Sequence, residues 1–504
     1  MRSAQLNLLL LLLALLSGCA TVPFDQPREH SEAISESDGT LLHSIAEQWN
    51  EHDPERSGFY PLVAGNDALG LRLWLIDTAQ KSIDVQCFLM KNDATGLEFT
   101  KRLLLAADRG VRVRFLLDDA YSSIDDEVLL LADAHPNIEV RLYNPISRRG
   151  LDVLNFFGDF QRANRRMHHK SFTADNEMTI VGGRNIADEY FELRPEEEFI
   201  DLDVLAVGPV VQEISTVFDG FWNHHQSVPV VAVGDKLTAR EFEEVRQRIS
   251  DDVRDREIAI YDQGVNSTLL KDLVSGETML YPASVEFMTD KPGKLEQPVT
   301  HQSMDVLQQL ADQVRAANSE VLLVSPYLIP GQKGVAFWRS IVEQGVRVVM
   351  LTNSLASNHQ KIAHSAYARY RKDLLEAGVE LYEVRADMVP RESSAETASL
   401  HIKGMVIDRR RTFIGSPNYD PRSLAINSEM LLIIDSTDLG SQLAGDVMQS
   451  LPELAYRVEL DAKGKLQWRS EIDGVEAIEK SEPLAGPWLR FQAQLFRIVP
   501  ETQL

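Results

Sequence analysis

From about residue 59 onward, apolar and polar positions follow a repeating order. Leu69, Leu73 and Ile76 recur at helical spacing within 66–80, and 82–89 reads as a strand. A helix over 97–109 stops at Gly110, a buried strand over 111–117 ends in Asp118-Asp119, and a helix over 125–134 leads to a strand over 138–142. The second half runs through the same order: helix 304–317, strand 320–325, helix 334–344, strand 345–351, a helix end over 372–377, Gly378 and strand 379–384. Helices alternating with strands predict crossover units and a sheet covered on both faces. A repeat of more than 200 residues is a duplicated domain rather than a solenoid. The expectation is an α/β chain of two similar domains, each a mixed, largely parallel sheet flanked by helices, with the active site at their interface.

The rest of the chain divides around those halves. The start, with Arg2, an apolar run over 6–16 and Ser17-Gly18-Cys19, is too short to span a bilayer and has the anatomy of an export signal. A Cys at its end resembles a bacterial lipoprotein signal, with residues 1–18 removed and Cys19 lipidated. Residues 19–58 read as a polar tether, 59–226 as the first domain, 227–279 as a connecting segment and 280–455 as the second domain. The connecting segment holds a capping box, Thr238-x-x-Glu241, ahead of Phe242, Val245 and Ile249. Residues 456–504 form a hairpin turning at Lys463-Gly464, then a helix. Its Trp488, Phe491, Leu495 and Ile498, with Arg490 and Arg497, either pack onto the second domain or lie on a membrane. Packing is the expectation.

Composition narrows the function. At 44% apolar and 25% charged, the chain is neither low-complexity nor disordered. Its net charge of −25 repels phosphate backbones, so a general nucleic-acid binder is disfavoured, while a local basic site for one phosphate stays open. An exported enzyme has no nucleotide supply, and no Gly-rich Lys-Ser/Thr loop, His-Glu-x-x-His helix or Gly-x-Ser-x-Gly elbow occurs. The chemistry must run on energy stored in the substrate. His224-His225 reads as a solvated helix end because no further ligand lies at metal spacing.

One cluster recurs. His168-His169-Lys170, Asp175, Gly182-Gly183 and Asn185 are matched by His401-Ile402-Lys403, Asp408, Gly415-Ser416 and Asn418, the four shared polar positions displaced by the same 233 residues. Side chains alternate along a strand, so His168 and Lys170 share a face while His169 points away, and His401 and Lys403 do likewise. A histidine beside a lysine can attack or protonate a phosphate whose oxygens the lysine neutralises. Asn185 and Asn418 can donate to a phosphate oxygen. Asp175 and Asp408 fall in tight turns, where a structural role competes with a catalytic one.

These paired clusters resemble the two signature motifs of the phospholipase D superfamily, and more narrowly the C-type bacterial cardiolipin synthases. The narrower resemblance rests on Asn164-Arg165-Arg166-Met167, on residues 183–191, on Asn418-Tyr419-Asp420-Pro421-Arg422-Ser423, and on Asn427-x-Glu429. It implies that His168 is the nucleophile of a phosphohistidine intermediate and that His401 is the acid and base, with the reverse assignment open. Lys170, Lys403, Asn185 and Asn418 would hold phosphate, Asp175 and Asp408 complete the motifs, and Asp201 and Glu429 would orient the imidazoles. No metal or cofactor is implied. The implied reaction passes a phosphatidyl group from phosphatidylglycerol or phosphatidylethanolamine to phosphatidylglycerol; hydrolysis to phosphatidic acid is the alternative. The implied setting is a monomer anchored by lipid in the cell envelope and facing the periplasm, with phospholipid substrates, no nucleic acid, and any helper protein left open.

Overall fold

A computed structural model describes residues 22, 24–50, 53–148, 158–194, 196–234, 237–254, 271–273, 280–297, 305–388, 395–472 and 474–498. The export signal and Cys19 lie outside the described residues. In the first half the strands are β1 (Ser57–Leu62), β2 (Ser82–Cys87), β3 (Arg112–Asp118), β4 (Ile138–Tyr143), β5 (Ser171–Ala174), β6 (Met178–Gly182), β7 (Glu198–Ile200), β8 (Asp203–Val207) and β9 (Ser227–Pro229). In the second they are β10 (Tyr281–Thr289), β11 (Glu320–Val324), β12 (Arg347–Asn353), β13 (Glu380–Val384), β14 (Ala398–Leu400), β15 (Gly404–Ile407), β16 (Arg411–Gly415), β17 (Met430–Asp435), β18 (Ala455–Leu460), β19 (Leu466–Ile472) and β20 (Val475–Glu479).

Hydrogen bonds order the first half as β9-β4-β3-β2-β5-β6-β8-β1. The second half runs β10-β17-β16-β15-β11-β12-β13-β18-β19-β20. The antiparallel pair β1–β10 joins them into one 18-stranded sheet. The sheet is mixed, and parallel pairing is confined to β2-β3-β4, β11-β12-β13 and the separate pair β7–β14. Antiparallel pairing therefore outweighs what the helix–strand alternation suggests. The cause is local: β5 and β6 are linked by residues 175–177, and β15 and β16 by 408–410, with Asp175, Asn176, Asp408 and Arg409 at positive φ of 48 to 56°. Such tight turns fold a chain straight back on itself.

The halves share a core. Phe59, Val181 and Val204 from the first pack in one apolar cluster with Leu322, Val349, Val406 and Leu432 from the second. Helices Gly65–Thr78 and Ala94–Asp108 bury their apolar stripes in a separate cluster of the first half, including Leu69, Leu73 and Ile76 as the spacing predicts. The capping box forms, with Thr238 N donating to Glu241 Oε2 at 2.7 Å.

Residues 24–50 depart from the expected tether. They form a belt on the first half, ending in a helix, Leu41–Asn50, that buries Leu42 and Ala46. Arg114 and Arg141 lie buried on β3 and β4 and need acceptors; Ser31 O and Glu29 O supply them at 2.9 and 2.6 Å. Arg28 in turn donates to the carbonyls of His224 and Ser227. A mean composition hides this, because two apolar residues and a few backbone carbonyls suffice to hold the belt.

Candidate active site

The two His-x-Lys segments lie immediately ahead of β5 and β15 rather than within them, and each is tied to the opposite half. His168 N–H donates to Ser428 O at 2.9 Å, and His401 N–H to Ile200 O at 2.8 Å. The short parallel pair β7–β14 adds a further join between the halves. Alternation along the extended chain holds: His169 turns away, fully buried against the Phe221 ring at 4.4 Å.

The carboxylates are exchanged between the halves. His168 Nδ1 lies 2.8 Å from Glu429 Oε2, and His401 Nδ1 lies 2.6 Å from Asp201 Oδ2. Each carboxylate accepts the Nδ1 proton, which puts the ring's lone pair on Nε2. Glu429 also accepts from Ser416 Oγ. Among the described residues no hydroxyl is seen donating to Asp201; Gly183 stands beside it, and a Cβ there would come 2.1 Å from Asp201 Oδ1.

Lys170 Nζ donates to His168 O at 2.9 Å and sits 4.9 Å above the Phe88 ring. Lys403 Nζ donates to His401 O and lies 2.7 and 3.1 Å from the two ring nitrogens of His401. Burial lowers both lysines, Lys170 to about 8 and Lys403 to about 7. Burial, reinforced by those lysines, drives the pKa of His168 and His401 well down, so both rings are neutral. Burial raises Glu429 to about 7 and also raises Asp201. The site is thus a buried pocket that sets two lysines beside two imidazoles, an arrangement suited to an anion.

Asn185 and Asn418 lie buried after β6 and β16, their side-chain oxygens without partners among the described residues. Asn185 Nδ2 donates to Tyr190 OH at 2.7 Å. Both amides keep hydrogen-bonding capacity for a ligand.

Asp175 and Asp408 leave the catalytic set. Asp175 accepts from the backbone N–H groups of Gln80, Lys81 and Ser82, and Asp408 from those of Asn318, Ser319 and Glu320. Each clamps the hairpin turn to the start of β2 or β11. Their recurrence reflects a shared fold, not shared chemistry.

Several rings surround the two histidines, and of these Tyr190 lies in the 183–191 run that carries the resemblance. Phe88 packs edge-on to His168 at 4.5 Å, where it closes off one side of the imidazole. Phe199 stacks on His401 at 5.4 Å, Tyr190 meets it edge-on at 5.1 Å, and His359 lies 6.2 Å away. His359 Nε2 faces Tyr327 OH at 2.7 Å, and burial lowers its pKa to about 4. A polar run after the strand over 345–351 was the available signal, but only the fold brings it to His401. The fold also brings Glu296 to His224 and His225, at 3.2 and 3.0 Å, so that pair has a carboxylate neighbour that spacing concealed.

A cavity of about 540 Å³ in the second half ends at the site. Its wall is mostly apolar, including Leu323, Phe337, Trp338 and Met405, and Lys403 and Asn418 border it. Cys87 stands apart, a buried free thiol raised to about 11 by burial.

The sequence matches the model of the cardiolipin synthase, PLD-like domain family over residues 73–222 and 310–450. It is 38% identical over 460 residues to Cardiolipin synthase C of Escherichia coli (strain K12), covering 89% of this chain and 96% of that one. An uncharacterized protein of Helicobacter pylori (strain ATCC 700392 / 26695) is 31% identical over 501 residues, 97% of each chain. The fold is similar to the crystal structure of phosphatidylserine synthase from Haemophilus influenzae Rd KW20, with a TM-score of 0.52 at 14% identity, covering 82% of this chain and 91% of that one.

Proposed function

Because the chain belongs to the cardiolipin synthase, PLD-like domain family, we propose that it is a phosphatidyltransferase that makes cardiolipin from two phospholipids. The observation that carries this reading is the meeting of an apolar cavity with a phosphate-handling centre at Lys403 and Asn418. Acyl chains need the first and a phosphodiester the second.

His168 Nε2 attacks the donor's phosphorus. The P–O bond to the donor alcohol breaks as the P–N bond forms, and the departing oxygen takes a proton from His401. His401, neutral in the empty site, takes up that proton from solvent as the anionic phosphodiester enters, whose charge lets the ring hold it among the lysines. The acceptor hydroxyl of phosphatidylglycerol then gives its proton to His401 and attacks the phosphorus, forming a P–O bond as the P–N bond breaks and returns the neutral His168 imidazole. One phosphodiester replaces another, so no external energy is needed. Lys170, Lys403, Asn185 and Asn418 hold the phosphate oxygens, and Glu429 and Asp201 keep the imidazoles turned.

Cys19 is the lipidation site of an exported, envelope-anchored protein facing the periplasm, a setting supported by Arg2, the apolar run over 6–16 and the closing Ser17-Gly18-Cys19. Both motifs lie in one chain, so it works as a monomer. The test is product analysis of the full chain by mass spectrometry in phosphatidylglycerol micelles, with and without phosphatidylethanolamine. Cardiolipin that disappears in His168→Ala is expected. Phosphatidic acid alone would make the enzyme a phospholipase.

A further inference from the structure

The C-terminal helix Pro487–Phe496 lies on the surface and leaves its largest apolar side chains uncovered. Arg490, Ala493, Gln494 and Arg497, at i, i+3, i+4 and i+7, border a cavity of about 370 Å³ between the helix and the second half, with Arg490 and Ala493 half-buried and Gln494 and Arg497 exposed. The other face carries Trp488, Phe491, Leu495 and Ile498, exposed by 68, 54, 52 and 80%. The Trp488 and Phe491 rings stack on each other at 5.5 Å. A surface helix ordinarily turns its apolar stripe inward. Here the stripe with both arginines borders the second half while the large apolar side chains face out, so docking onto the second half and lying on a membrane are not alternatives.

The cavity behind the helix has a matching charge. Lys465, Lys480, Arg490 and Arg497 border it in a chain of net charge −25. Glu482, the carboxylate that also borders it, is already held by Arg371, with Nη1 to Oε1 at 2.6 Å. Two nitrogens of its wall are buried without partners among the described residues: Arg490 Nε and His364 Nδ1. Arg371 faces His364 Nε2 at 2.9 Å and donates to it, which leaves the ring proton on Nδ1. Both orphans are therefore donors, and both lack an acceptor. Buried donors are rarely left so without a ligand.

We propose that this region is a second phospholipid site, outside the reaction centre, that seats the second half on an anionic bilayer. The exposed stripe enters the boundary between headgroups and chains, with Trp488 at the interface, and an anionic headgroup fills the cationic cavity behind it. The site adjoins the catalytic cleft. Helix Lys361–Tyr367, against which the C-terminal helix packs, carries His364 and begins two residues after His359, the neighbour of His401. Bilayer contact is thus set one short helix from the chemistry. The proposal is independent of the reaction's outcome, since a hydrolase would use the same seat.

The test places a nitroxide on Phe491→Cys in the full chain, reconstituted in vesicles of phosphatidylcholine with or without phosphatidylglycerol. A label on exposed Leu105→Cys serves as the water-facing control, and unsubstituted chain supplies the background. The 491 label should be reached by oxygen and shielded from a water-soluble nickel complex only where phosphatidylglycerol is present. Lys465→Glu/Lys480→Glu should abolish that shielding with the thermal unfolding unchanged; if charge reversal destabilises the hairpin, Ile498→Glu provides the independent arm. A label that stays in water in both vesicles overturns the proposal. Equal burial in both overturns the headgroup site. Spin–spin broadening between labels would show a second copy on the stripe, and that also overturns it.

Discussion

His168 stands between Glu429 and the ring of Phe88, whereas His401 stands between Asp201 and a group of rings, Tyr190, Phe199 and His359. The backbone framework of the two is the same, down to the turn that follows and the aspartate that clamps it. The supports differ in kind. In one, a longer carboxylate is steadied by the Ser416 hydroxyl; in the other, a shorter carboxylate fits only because Gly183 has no side chain. Because each half furnishes the other's carboxylate, neither half is a site alone. A duplicated framework with unequal surroundings suits two imidazoles with different tasks.

The sharpest way to break the symmetry is to remove each imidazole. His168→Ala and His401→Ala should each lower kcat by about 10⁴-fold or more. Acid-quenched mass spectrometry should find the phospho-adduct on the peptide carrying residue 168 and none on the peptide carrying 401. An adduct on residue 401 would reverse the roles.

Next come the exchanged carboxylates. Asp201→Asn and Glu429→Gln should each cost roughly 10²- to 10⁴-fold in kcat, since an amide favours the wrong tautomer and loses the charge that steadies an imidazolium. The crossing predicts that Glu429→Gln weakens adduct formation at His168, read by single-turnover quench, although Glu429 belongs to the other half.

The glycine and the serine give a finer comparison. Gly183→Ala drives a methyl into Asp201 and should cost about 10²-fold in kcat, as misplacement of a catalytic group does. Ser416→Ala removes one hydrogen bond to a charged group and should cost about tenfold. Steady-state kinetics of the two variants would reverse this ordering if the hydroxyl, rather than the space, were the stronger determinant.

The lysines set the pH response. Lys403 and Lys170, lowered by burial to about 7 and about 8, are charged below those values and lose their charge as pH rises through them. The kcat/KM profile should fall across that window, and Lys403→Arg should move the fall to higher pH because a guanidinium stays charged.

The smallest effect belongs to the turn aspartates. Asp408 is pushed up by burial but pulled further down by the N–H groups of Glu320, Asn318 and Ser319, to about 2. Its folded pKa lies below the unfolded value, so its contribution is present above about 4 and fades as pH drops toward 2. Asp408→Asn should cost about 1 kcal/mol of stability by denaturant titration near neutral pH, with kcat changed less than about twofold. Asp175→Asn should behave likewise.

Much of this was legible along the chain. Period-two alternation placed His168 with Lys170 and set His169 apart, and the constant displacement of 233 residues marked the duplication. Helix and strand positions followed from spacing, and Gly110 and Gly378 ended helices at φ of 95 and 90°. The antiparallel share of the sheet was under-read because crossover units dominate a periodicity argument while three-residue turns leave only a faint mark. The belt over residues 24–50 was missed because buried Arg114 and Arg141 hold it through backbone carbonyls, which no side-chain pattern reveals.

What the chain determined by itself is therefore what short-range geometry dictates: which residues form strands, which side chains share a face, and which cluster occurs twice. Tertiary structure alone decided that Glu429 faces His168 across 261 residues and Asp201 faces His401 across 200. It also decided which face of the C-terminal helix looks outward. Both depend on how two sheets meet edge to edge through β1 and β10, a contact between distant segments that no local periodicity encodes.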